Sequence, residues 1–172
     1  AFETGLDRRG AKGHLDEADD LYRRAIKENP RFAEARLRRG YVLDRLGRYR
    51  DAAEELRLAA AADAGPQLQY YAELFLGHAA ESLGDRANAR DSYARAEALY
   101  PNAQSPLLAL ALLARQSGDR AGAQEAMQKL LGVARIRDGK ADPWWGYHRW
   151  QTRGYKDVFA ELYARALDGG RS

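Results

Sequence analysis

Four groups of side chains in this sequence could do chemistry: three histidines, an acidic run, an arginine-rich stretch and a tryptophan cluster. His14, His78 and His148 are far apart, and none builds a recognisable metal-binding pattern with neighbouring acids or a second histidine. Asp16, Glu17 and Asp19 could hold magnesium at the end of a buried strand. Such a nucleotide site also needs a preceding apolar strand and a glycine-rich loop ending Gly-Lys-Ser/Thr, and the sequence contains neither. The run reads instead as a helix start, where acids are favoured. Cysteine is absent, which excludes disulfide scaffolds, zinc fingers, iron–sulfur centres and thiolate nucleophiles together. No serine–histidine–acid arrangement, phosphate loop or dinucleotide fingerprint is present, so the expectation is no enzyme, no catalytic residue, no metal and no cofactor.

The remaining two groups suggest binding. Between Arg31 and Arg50 seven arginines face only Glu34 and Asp44, a local excess that could meet phosphate or an acidic protein. Asp51, Glu54 and Glu55 follow at once and offset it, as in a solvated helical face with paired charges. Across the whole chain 28 basic residues are interleaved with 25 acidic ones, so nucleic acid is not the expected partner. Trp144, Trp145 and Trp150 stand with Tyr147 in the densest aromatic stretch of the chain, which suits a terminal cap or an end-docking surface.

These residues need elements to position them. With 172 residues, 45% of them hydrophobic, and a mean hydropathy of -0.66, the chain fits one medium domain or one short repeat array. No stretch reaches the ~20 apolar residues of a membrane-spanning helix, so membrane insertion is not expected. The sequence starts at Ala1 without an initiator methionine, from which an upstream segment processed away or left out is expected. Periplasmic, extracellular and cytoplasmic locations all stay open.

Self-similarity gives the architecture. Gly13, Gly47, Gly84 and Gly118 are separated by 34, 37 and 34 residues. Each is followed five residues later by Ala18, Ala52, Ala89 or Ala123, then by Tyr22, Leu56, Tyr93 or Met127, then by Ala25, Ala59, Ala96 or Leu130. Pro30, Pro66 and Pro101 close the first three units, and a three-residue insertion near Gln67 to Gln69 accounts for the longer spacing. Small residues at a helix crossing let two backbones approach, glycine suits the tight turn within a pair, and proline ends a unit. Gly65-Pro66, Ser105-Pro106 and Asp142-Pro143 each place a capping residue before proline and mark expected helix starts.

The period and these small residues resemble the tetratricopeptide repeat family. Its Leu-Gly site reads Arg39-Gly40, Leu76-Gly77 and Leu110-Ala111 here, while its leading aromatic site reads Arg36, Glu73 and Leu107, a departure from the family pattern. The resemblance implies an all-α fold, a right-handed superhelical α-solenoid of helix-turn-helix repeats. Residues 1–134 would hold four repeats, at about 1–32, 33–66, 70–103 and 104–135. Residues 142–168 would form a degenerate fifth repeat, a cap rich in Trp and Tyr, with a hairpin glycine at Gly154 and core sites at Phe159, Tyr163 and Ala166. Residues 169–172 would be a flexible tail.

Proteins of this family bind extended peptides or helices along a concave inner face. Stepping along the first helix of each pair places Glu34, Leu37, Tyr41 and Asp44, then Tyr71, Leu74, His78 and Glu81, then Ser105, Leu108, Leu112 and Arg115 on that face. Leu37, Leu74 and Leu108 are expected to form an apolar strip, with His78 beside Tyr41 and Leu112. Family members that capture C-terminal carboxylates use lysine, asparagine and arginine at inner sites where Tyr41, Tyr71, Phe75 and His78 stand here, so that activity is not expected. The expectation is a protein-interaction scaffold for a protein or peptide. The alternative is a subunit that assembles head to tail with itself through its ends, using Phe2, Trp144, Trp145, Tyr147 and Trp150.

Overall fold

The computed structural model describes residues 3–134 and 142–144. Seven helices follow one another: α1 (Glu3–Glu28), α2 (Ala33–Arg45), α3 (Tyr49–Ala60), α4 (Pro66–Ser82), α5 (Arg86–Leu99), α6 (Gln104–Gln116) and α7 (Arg120–Ala134). Helices α2 and α3, α4 and α5, and α6 and α7 pack as hairpins, and each hairpin stacks on the next through α3 with α4 and α5 with α6. The described residues contain only helices and their connections, so the array is all-α and each unit covers the apolar face of its neighbour. No helix among them is long and apolar enough to cross a membrane.

The hairpin turns follow from local chemistry. Gly47, Gly84 and Gly118 adopt φ of 75°, 77° and 75°, the left-handed region that a side chain disfavours. At each, the next amide reaches back to a carbonyl of the last helical turn: Arg48 to Leu43, Asp85 to Ala80 and Asp119 to Ala114, all at 2.9 Å. Asp85 and Asp119 then accept from the amides of Asn88 and Gly122, capping α5 and α7. Gly13 departs from this pattern. It lies inside the continuous helix α1, so the turn expected there, and with it a first helix pair over 1–32, is not formed.

Two other local expectations shift. The insertion before the third unit becomes extra helix, so α4 spans 17 residues where α2 and α6 span 13. Pro66 opens it at the first turn after Gly65, as expected. Helix α6 instead begins at Gln104, ahead of Ser105-Pro106, with Ala103 as a cap that makes no side-chain hydrogen bond.

Close approach at the hairpin crossings explains the small residues. A Cβ on Gly77 would run into the ring of Tyr93, and one on Gly40 would meet Leu56. Leu43, Leu56, Ala59, Tyr70, Ala79, Ala89, Tyr93 and Ala96 belong to one buried cluster running through the second and third units.

The departures from the family's aromatic site have a structural substitute. Arg36 on α2 pairs with Glu55 on α3 at 2.7 Å, and Glu73 on α4 pairs with Arg95 on α5 at 2.7 Å. Arg39, at the family's leucine site, bridges Asp19 on α1 and Glu55 on α3 at 2.7 and 2.6 Å, and Arg48 reaches Asp19 at 3.0 Å. Ion pairs thus join helices where large apolar side chains would otherwise interlock. Arg36, Arg38, Arg39 and Arg48 are each engaged with carboxylates of this chain, so much of the arginine-rich stretch serves the fold.

Candidate functional site

One face of the array, formed by α2, α4 and α6, gathers most of the expected inner residues. At one end Tyr41 on α2 and Phe75 on α4 meet with ring centroids 5.0 Å apart. Along the same helices Asp44 Oδ1 lies 2.9 Å from His78 Nδ1, tying α2 to α4. Asp44 is buried, whereas the His78 side chain is 57% exposed. The hydrogen bond with Asp44 raises the His78 imidazole above its ordinary value against opposing burial, with the charges of Asp44 and Glu81 adding to the rise. Glu81 accepts a 3.0 Å hydrogen bond from the Tyr93 hydroxyl. Glu34 pairs with Arg38 one helical turn along, at 2.8 Å.

The expected leucine strip is placed differently. Leu37 and Leu74 are core residues at 1% and 6% exposure, while Leu108 is partly buried. Helix α2 packs directly on α4 as well as on α3, and this seals side chains that an open groove would leave accessible. Leu112 is partly buried and Arg115 is exposed.

The face is occupied by the chain itself. Asp142, Pro143 and Trp144 lie against it, with a helical turn beginning at Pro143. Tyr70, fully buried, donates its hydroxyl to Asp142 Oδ1 at 2.6 Å, and the Trp144 amide donates to the same oxygen at 2.9 Å. The amide and hydroxyl of Ser105 donate to Asp142 Oδ2 at 2.8 and 2.7 Å. Burial first, and then the adjacent carboxylate, push the Tyr70 phenol well above its ordinary value, so it stays protonated as a donor. Tyr71 donates its hydroxyl to the Pro143 carbonyl at 2.8 Å and accepts from the Gln67 amide at 3.0 Å. Trp144 packs on Phe75 with centroids 5.3 Å apart.

Two physical reasons favour a carboxylate here. Ser105 lies in the first turn of α6, where main-chain amides lack partners within the helix and the helix dipole is positive. The same carboxylate caps its own helical turn through the Trp144 amide. Trp144, expected to cover the edge of the fourth unit or dock outward, is instead packed against Phe75 of α4. Asp142, expected only as a local cap, joins two helix starts. The Asp-Pro pair signalled a helix start, whereas no local pattern signalled where that start would dock. Phe2, Trp145, Tyr147 and Trp150 lie outside the described residues, as do the helix and tail expected after Gly154.

A second concavity, an open cleft lined by α5, α6 and α7, has Arg86, Arg90, Glu97 and Lys129 at its walls. Lys129 spans it to Glu97 at 3.2 Å.

Comparison with known proteins agrees with this architecture. Tetratricopeptide repeat models match residues 21–54 and 74–102. A crystal structure of MamA superposes with a TM-score of 0.67 at 24% identity, over 94% of this chain and 92% of that one. MamA from Desulfovibrio magneticus RS-1, from its residue 41 onward, gives 0.66 at 23% identity over 74% and 70% of the two chains. MamA MSR-1 gives 0.62 at 25% identity over 72% and 70%. No curated protein sequence matches the chain.

Proposed function

We propose that this tetratricopeptide-repeat chain is a non-enzymatic protein-interaction module whose partner, a peptide or a helix, lies along the inner face of α2, α4 and α6. The observation that carries this reading is the hydrogen bond from Tyr71 to the Pro143 carbonyl, in which the face binds main chain. Around it, aromatic rings supply apolar area and hydroxyls supply directed donors, the mixture that suits an amphipathic segment. The partner surface would include Tyr41, His78, Leu108, Leu112 and Arg115, with Glu34 and Glu81 at its polar margins, the buried Asp44 holding His78 from beneath and the buried Tyr71 offering its hydroxyl.

The test compares three forms of the full chain as immobilised bait: the parent, Tyr41→Ala with Leu112→Glu on the face, and Leu58→Glu on the exposed side of α3. Proteins retained by the parent and the α3 variant are expected to be lost from the face variant, with helicity unchanged by circular dichroism. Retention of the same set by all three would remove the inner face as the interaction surface.

Head-to-tail self-assembly is supported by one observation, that Leu21 on α1 and Leu131 on α7 stay more than half exposed on the first and last described helices. Light scattering across a wide concentration range decides it. A constant mass near 19.2 kDa argues against assembly, and mass that grows with concentration argues for it.

A further inference from the structure

We infer that the inner face is a site for a helix start of the form Asp-Pro-aromatic, and that residues 142–144 fill it as an intramolecular ligand which an incoming segment must displace. This deepens the proposed binding function and rests on it. Each of the three positions is read by a different chemistry. Pro143 presents its carbonyl to the Tyr71 hydroxyl, and Trp144 lies on Phe75, itself backed by Tyr41.

The aspartate is read most stringently. Its two oxygens face two different main-chain amides, Ser105 on Oδ2 and Trp144 on Oδ1, and a main-chain N–H can only donate. Asparagine has one accepting oxygen and one NH2 group, so either orientation sets an amide hydrogen against an amide hydrogen. The site therefore selects carboxylate over carboxamide. Glutamate would carry the carboxylate one methylene further from a cap that the main chain holds in place.

Occupancy in cis sets the regulation. The segment belongs to the same chain and follows the end of α7 closely in sequence, which gives it an effective concentration at the face on the order of millimolar. A free segment that binds the vacant site at ~0.1 mM would then appear at least tenfold weaker on the parent chain.

The experiment uses a fluorescein-labelled synthetic peptide of residues 138–150 and the full chain in three forms: parent, Trp144→Ala, and Asp142→Ala with Trp144→Ala. Anisotropy is expected to show at least tenfold tighter binding to the double variant than to the parent. The same peptide carrying Asp142→Asn is expected to lose that binding at least tenfold. Trp144→Ala keeps the buried carboxylate and its partners, so it serves if the double variant loses cooperative unfolding, and it too must bind the peptide more tightly than the parent. Equal binding to parent and variants, or binding to none, overturns the assignment. Should peptide binding fail while Tyr41→Ala with Leu112→Glu still abolishes partner retention, the Asp-Pro-aromatic site falls and the broader function stands. If the peptide binds as expected but that pair leaves retention untouched, the site stands and the broader function falls.

Discussion

Tyr70 donates its hydroxyl to Asp142 across 72 residues of sequence, and both residues are buried. This bond joins the α4–α5 pair to a segment beyond the last described helix. Three further donors, from Ser105 and from the turn that Asp142 itself begins, complete the anchorage of the carboxylate.

Tyr70→Phe keeps the ring and removes this single donor to a charged group. The expected loss is about 1.5–3 kcal/mol in urea unfolding. An unchanged midpoint would mean that the segment leaves the face in solution.

Two glycine substitutions should act with opposite sign. Gly13 lies within α1 without positive φ, and a methyl there would meet open space, so Gly13→Ala should stabilise by up to about 1 kcal/mol. Gly77→Ala drives a methyl into the buried Tyr93 ring, which its hydroxyl anchors to Glu81, and should cost about 1–3 kcal/mol. Thermal unfolding of the two variants separates the cases. A destabilising Gly13→Ala would argue for a turn at that position.

The His78–Asp44 contact makes stability depend on pH. The folded imidazole titrates above the unfolded one, so its contribution is fully present below the unfolded value near 6.5 and is lost as pH rises through the folded midpoint. His78→Gln should therefore cost more at pH 5.5 than at pH 8.5. For a ring more than half exposed the difference should be only about 0.5 kcal/mol. Proton NMR of the imidazole, with Asp44→Asn returning its midpoint toward the ordinary value, checks the cause directly.

Arg39→Met leaves Asp19 and Glu55 short of a partner in a largely buried network, and should cost roughly 3 kcal/mol. Arg23→Ala removes an exposed pair with Asp20, and should change stability by less than about 1 kcal/mol. Comparable denaturation midpoints for the two variants would show that the network is only a surface feature.

The repeat period, the helix pairs from α2 to α7 and the turns at Gly47, Gly84 and Gly118 were legible in the sequence because they depend on local terms: positive φ, helix-ending amide bonds and caps within a few residues. The same reasoning misplaced a turn at Gly13, where the glycine signal was present but the helix α1 runs through it without positive φ. Helical spacing, which sets direction, put Tyr41, Asp44 and His78 on a common side of their helices, and in the structure Tyr41 meets Phe75 while Asp44 bonds His78. It also set Leu37 and Leu74 there, and only the packing of α2 on α4 decides how much of a face is sealed.

The remaining features came from packing between distant segments. Arg36 and Glu73 read as breaks in the repeat pattern until their partners Glu55 and Arg95 arrive from the second helices. Asp142 read as a cap for its own turn, and its role as a shared anchor exists only once Tyr70 and Ser105 are brought to it. A carboxylate carries no local record of a donor dozens of residues away; stacking the helix pairs brings the donors to a place where burial makes leaving them unpaired costly.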